Sequence, residues 1–129
     1  MGGLVARYFL EALGGWRRSR HLISFGTPYR GSLDALNSLA NGVDKPVIGN
    51  RMTGLLRSFP SVHQLLPVYR CIDGGDGALA RPHEFPGGLP GVDPPMLADA
   101  AAFHREIADQ QAVNTQLDEY HQHLSLIHI

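Results

Sequence analysis

Apolar residues recur at helical spacing over residues 2–13, where Leu4, Val5, Tyr8, Phe9, Ala12 and Leu13 share one broad face. Arg7 and Glu11 lie four apart on the other face, spaced for a weak pair. Gly14-Gly15 supplies a left-handed stop. The period then shortens. His21-Leu22-Ile23-Ser24-Phe25 is β-branched and aromatic, and Gly26-Thr27-Pro28 ends it, which predicts a strand. Helix, short connection and apolar strand make the second half of a βαβ unit, so the fold class is α/β.

After Pro28 the pattern is mostly helical. Ser32 is placed to cap a helix over 33–40, with Asp34 in its first turn and Gly42 as its stop. Further short helices are expected over 51–58 and over 62–66, the latter capped by Ser61 and closed by Pro67. Nearly half of residues 73–95 are glycine or proline, which predicts a loop. Asp93 then caps a long helix reaching about Tyr120, with Pro94 or Pro95 in its first turn. Only one strand is expected, and a lone parallel strand leaves both its edges unpaired. On this reading residues 1–32 belong to an α/β core and 33–123 to a helical lid or cap.

Composition narrows the function classes. The chain has 129 residues, enough for one domain, and is 43% hydrophobic and 18% charged, as a globular protein is. Its net charge of −1 gives no reason to expect a nucleic-acid partner. No apolar run approaches the roughly 20 residues of a membrane span. Cys71 is the single cysteine, read as a structural thiol. Arginine supplies nearly all the basic charge and alanine, glycine and proline abound, a composition of GC-rich codons that suggests a bacterial source. Leu124-Ser125-Leu126-Ile127-His128-Ile129 breaks that style and looks like translated sequencing adapter, so 124–129 is expected to be a foreign tail.

The chemistry begins at Met1-Gly2-Gly3. In G-x-S-x-G, a strained strand-to-helix turn lifts a serine above a sheet. Met1-Gly2-Gly3 followed by an amphipathic helix reads as that turn from just after the serine. Met1-Gly2-Gly3-Leu4-Val5-Ala6-Arg7-Tyr8, then Leu22-Ile23-Ser24-Phe25-Gly26-Thr27-Pro28-Tyr29-Arg30-Gly31-Ser32, resembles the lecithin:cholesterol acyltransferase-like branch of the α/β-hydrolases. Ser58-Phe59-Pro60-Ser61-Val62-His63-Gln64-Leu65-Leu66-Pro67 is similar to a lid stretch of bacterial members.

The resemblance implies an internal fragment of a serine esterase, lipase or lipid acyltransferase. It would lack the nucleophile, the later acid and the histidine, and be inactive by itself. Met1 then marks the backbone N–H of the oxyanion hole, with Gly2 and Gly3 as the elbow's small positions. Leu55, Leu56, Phe59, Leu65, Leu66 and Phe103 are candidates to line an acyl pocket, or alternatively to pack the lid's own core. No cofactor or metal is implied. The partners would be an acyl-ester or lipid substrate and the missing parts of the same parent chain.

Other candidates are weaker. Asp73 and Asp76 read as turn aspartates rather than a triad acid. His83, His104, His121 and His123 are poorly placed as a catalytic base, and His121-Gln122-His123 lacks a third metal ligand. Ser24 lies inside the strand and Ser32 at a cap, so neither reads as a nucleophile. Arg17, Arg18 and Arg20 read as a solvated loop. The competing function class is a non-catalytic helical module that binds a partner or lipid through its apolar faces.

Overall fold

The computed structural model describes residues 1–43, 49–75 and 77–129. They form two compact units, one of 1–29 with 103–129 and the other of 30–102.

The first unit opens with α1, Gly2–Glu11. Gly14 takes the expected left-handed conformation at φ 66°, and a short 3-10 turn follows over Gly15–Arg18. The ring of Phe9 lies where a side chain at Gly15 would be. Strand β1, His21–Ser24, comes next. The unit is completed by the later part of one long helix, a short helix over Asp118–His123 and a strand over Ser125–His128. That last strand pairs with β1 in parallel, setting Leu22 opposite Leu126 and Ile23 opposite Ile127. The expected lone strand therefore has one edge paired, and the pairing residues belong to the 124–129 stretch that the sequence reads as a foreign tail. Leu22 and Leu126 pack on a core of Leu10, Trp16, Tyr120 and Leu124. Ile23 and Ile127, on the opposite face of this two-stranded sheet, stay exposed.

Helix α1 is rotated relative to the sequence expectation. It buries Leu4, Leu10 and Glu11, while Val5, Phe9 and Leu13 are exposed. The cause is Glu11, whose carboxylate finds buried partners and draws its own face inward. Arg7 Nε lies 3.1 Å from it, so the anticipated pair forms, with the carboxylate fully enclosed rather than on the surface.

In the second unit, Ser32 caps α2 (Leu33–Asn41) by accepting from the Asp34 N–H at 3.2 Å, and Gly42 ends it at φ 82°. Helix α3 runs Gly49–Ser58. Helix α4 spans Pro60–His63, earlier than expected and without the Ser61 cap. Proline at the first helical position presets φ and gives up no hydrogen bond there, so the helix starts at Pro60. The glycine-rich stretch is turns apart from two short strands, β2 (Ile72–Asp73) and β3 (Leu79–Ala80), which pair antiparallel. Asp76 lies outside the described residues.

Helix α5 is Pro94–Asn114, and Asp93 O accepts from the Met96 and Leu97 N–H groups at its start. It stops short of Tyr120. Thr115 Oγ1 turns back onto the Gln111 and Ala112 carbonyls, competing with helix continuation, and the chain restarts as α6, Asp118–His123, before β4, Ser125–His128. The second unit's core is aliphatic: Leu39, Leu66, Leu89, Val92 and Leu97, with Leu36, Val62 and Ile72 packed on it. Each fully buried residue of this kind contributes about 1.5–3 kcal/mol.

Candidate functional site

The candidate site is the start of α1 with the turn that follows β1. Met1 is the N-cap of α1, and its carbonyl accepts from the Leu4 and Val5 N–H groups at 2.9 and 3.2 Å. A helix N-terminus carries partial positive charge and outward-facing N–H donors, which favours an anion there. Gly2 faces open space. Gly3 does not: a Cβ there would collide with Oγ1 and Cγ2 of Thr27. The absent side chain is what lets the first turn of α1 close on the Gly26-Thr27-Pro28 turn. The two sequence blocks read separately as elbow and strand end are thus brought into contact.

The same turn is tied down further. Tyr29 donates its hydroxyl to Ser24 Oγ at 2.8 Å, and Ser24 Oγ lies 3.0 Å from His128 Nδ1. The Tyr29 and His128 rings meet edge to face, and the Arg7 guanidinium sits 5.6 Å from the Tyr29 centroid. Gly26 N–H donates to Ile129 O at 2.7 Å. Ser24 is buried, with its hydroxyl bridging two rings, as a structural serine would be.

Behind the site stands a polar cluster that the sequence did not announce. Glu11 Oε1 accepts from the Tyr120 hydroxyl at 2.8 Å, and Oε2 accepts from Asn114 Nδ2 at 3.0 Å. Asn114 Nδ2 also reaches the Glu11 backbone carbonyl at 3.1 Å. Burial, and then the bond to Glu11, push the Tyr120 hydroxyl well above the ordinary phenol range. The only sequence signal was Arg7 with Glu11; the partners at 114 and 120 carry no local mark.

The remaining candidates are dispersed. Leu66 belongs to the aliphatic core of the second unit, Leu56 and Leu65 are half-buried, and Leu55 and Phe59 are exposed. Phe103 belongs to the first unit, where its ring stacks on Tyr8 at 5.2 Å. Asp73 Oδ1 accepts from the Gly75 N–H at 2.8 Å, a turn aspartate. His83 is 3.8 Å from Glu84, and His104 meets the Phe103 ring edge to face. Arg17 lies over the Trp16 ring. Cys71 is half-buried, and burial raises its thiol pKa, which disfavours the reactive thiolate. Among the described residues no helix is long and apolar enough to cross a membrane.

A helix opening on glycines, packed against the turn after a parallel strand, gives the chain an α/β organisation with a helix N-terminus at the strand's end. The chain belongs to the lecithin:cholesterol acyltransferase family, whose model matches residues 1–87. That span runs from α1 through β3 and contains both the Gly2-Gly3 and the Gly26-Thr27-Pro28 blocks. No curated protein and no solved structure matches the chain.

Proposed function

We propose that the chain is the post-nucleophile part of a serine enzyme acting on ester-linked acyl groups of a lipid. The observation that carries the reading is the contact of Gly3 with Thr27, which sets the start of α1 on the strand-end turn. Family membership supplies the lipid acyl ester as substrate class.

In this mechanism a serine preceding Met1 attacks the ester carbonyl, and a histidine takes its proton. Backbone N–H groups at the start of α1, that of Met1 first, donate to the oxyanion as it forms. Once it is part of a longer chain, the Met1 nitrogen is an amide rather than an ammonium. The oxyanion collapses, the ester C–O bond breaks and the histidine passes its proton to the departing alcohol. The acyl-enzyme left behind is then resolved by water, or by an alcohol where the lid excludes water. Residues 33–123 form the lid; Leu66 packs the second unit's aliphatic core, and the exposed Leu55 and Phe59 of that unit are left to meet an acyl chain. The serine, the acid and the histidine all come from outside residues 1–129, so the chain alone is inactive.

The test compares the 129-residue chain with one extended upstream along its own reading frame. The short chain is expected to leave p-nitrophenyl esters intact and to escape labelling by a fluorophosphonate. The upstream residues are expected to read Gly-x-Ser after an apolar strand. Labelling of the short chain, or an upstream frame without that serine, overturns the proposal.

A further inference from the structure

On α1, Arg7 stands one turn after Gly3 and on the same face, since helical residues four apart lie one above the other. Its guanidinium lies over the Tyr29 ring, 5.6 Å from the centroid and two residues beyond Thr27. We propose that Arg7 is a positioning residue for the oxyanion donors: resting on Tyr29, it sets the direction in which the first turn of α1 aims its N–H groups. The proposal rests on the acyl-transfer reading and uses no residue of 124–129.

The geometry is a two-point support. At Gly3 the helix backbone closes on Thr27, where a Cβ would collide with the threonine side chain. A single contact fixes a point and leaves the helix free to pivot about it. Arg7 adds a second contact about 6 Å further along the axis, at the helical rise of about 1.5 Å per residue. Tyr29 N–H donates to Thr27 O at 2.9 Å, so both supports belong to one turn. The Tyr29 hydroxyl donates to Ser24 Oγ at 2.8 Å, which ties that turn to β1. A slip of about 1 Å at Arg7 would tilt α1 by about 10° about Gly3, and a catalytic constellation tolerates only about 10–20°.

Arg7 can serve as a support because it is held from behind. Its side chain is 17% exposed, and Nε lies 3.1 Å from Glu11 Oε1, on a carboxylate that is fully enclosed. Glu11 accepts in turn from the Tyr120 hydroxyl at 2.8 Å and from Asn114 Nδ2 at 3.0 Å. A solvated pair four residues apart would hold nothing in place. Here the carboxylate is fixed by two neighbours, and the cation is fixed between it and the ring. A cation within about 6 Å of a ring centroid is attracted by the ring's quadrupole, more strongly where water is excluded.

The test uses the chain extended upstream to its own serine, assayed on p-nitrophenyl esters, and the 129-residue chain for the geometry alone. Tyr29→Leu removes the ring and leaves the pair of Arg7 with Glu11 whole. Arg7→Lys keeps a charge beside Glu11 and loses the planar fork. Each is expected to lower kcat about tenfold while KM changes less than about twofold, because the donors act on the transition state. The double variant should be no slower than the slower single one, since both remove the same support. Tyr29→Phe, which keeps the ring, should lose markedly less than Tyr29→Leu. In the 129-residue chain, the Gly3 and Leu4 amide resonances are expected to shift in both single variants while those of α2 stay still, with the Trp16 transition as the check on folding. Additive losses of kcat, losses carried by KM, or unmoved Gly3 and Leu4 resonances overturn the proposal. An extended wild-type chain that turns over no ester overturns the acyl-transfer reading instead, and the two resonances then decide by themselves whether Arg7 sets the start of α1.

Discussion

The two units hold their interiors together by opposite means. In the first, a buried carboxylate, Glu11, gathers Arg7, Asn114 and Tyr120 around itself. In the second, the core is aliphatic beside one buried imidazole, His63, whose Nδ1 lies 2.9 Å from Phe59 O, and a side chain at the edge satisfies backbone. Arg57 donates to the carbonyls of Leu39 at 2.9 and 2.7 Å, and to those of Ala40 and Pro90 at 3.1 Å. Two of those carbonyls end α2, where helical acceptors have no partner of their own. The contrast has an energetic meaning. A buried charge is tolerated only while its partners stay in place, so the first unit fails sharply when one is removed. An aliphatic core loses stability in proportion to the volume removed.

The largest effect should therefore come from breaking the cluster. Glu11→Ala strands a guanidinium, a carboxamide and a hydroxyl, and is expected to cost about 3–5 kcal/mol in the first unit. Trp16, the chain's single tryptophan, lies in that unit's core, so urea unfolding read by its fluorescence reports the loss directly. Glu11→Gln keeps acceptor and shape and should cost less. Equal, small losses for both would mean that the cluster is not the organising feature proposed for this unit.

In the second unit, Leu39→Ala removes a side chain with no exposed surface and should cost about 2–5 kcal/mol. Gly31→Ala should cost about 2–4 kcal/mol, because φ there is +89° and a Cβ would meet the Leu66 carbonyl. Hydrogen exchange of the α2 amides measures both. If either change shifts the Trp16 transition as much as it shifts α2, the two units unfold as one block and the contrast between them dissolves.

What the sequence made legible follows the range of the interactions. The Gly14 stop, the Ser32 cap and strand β1 were readable because each depends on residues within a few positions. The contact of Gly3 with Thr27 was not: the Gly2-Gly3 and Gly26-Thr27-Pro28 blocks were read separately, and only the fold brings them together. Nor was the inward face of α1. Amphipathic pattern assigned Val5, Phe9 and Leu13 to the core, and a carboxylate with partners more than a hundred residues away reversed it. The break between α5 and α6 was hidden for a related reason: Asn114 is drawn to Glu11, and Thr115 to the backbone, by bonds that periodicity does not register.

Gly3→Ala tests the site itself and should be gentler than the core changes, because Thr27 is a side chain on a turn and can give way. A loss of about 1–3 kcal/mol is expected in the Trp16 transition, with Thr27→Gly restoring most of it in the double variant. In an upstream-extended, active chain the same change should lower kcat more than it raises KM, since it moves donors that act on the transition state. Loss without rescue would place the strain elsewhere than at the contact of α1 with the turn.

The smallest effect expected separates the units by pH. Tyr120 is held neutral in the folded state by burial and by the adjoining carboxylate, so its folded pKa stands above that of the unfolded phenol, about 10. Below that unfolded value the phenol is protonated in both states and the contribution is complete. Above it the unfolded chain gives up a proton that the folded chain retains, so stability falls as pH rises. The Trp16 transition should therefore weaken on going from pH 9 to pH 11, and Tyr120→Phe should flatten that slope while losing the bond to Glu11 at every pH. The α2 amides give no such prediction, because the aliphatic core of the second unit holds no phenol. An alkaline slope that survives Tyr120→Phe would assign the titration to another group and remove the phenol from the account of the first unit.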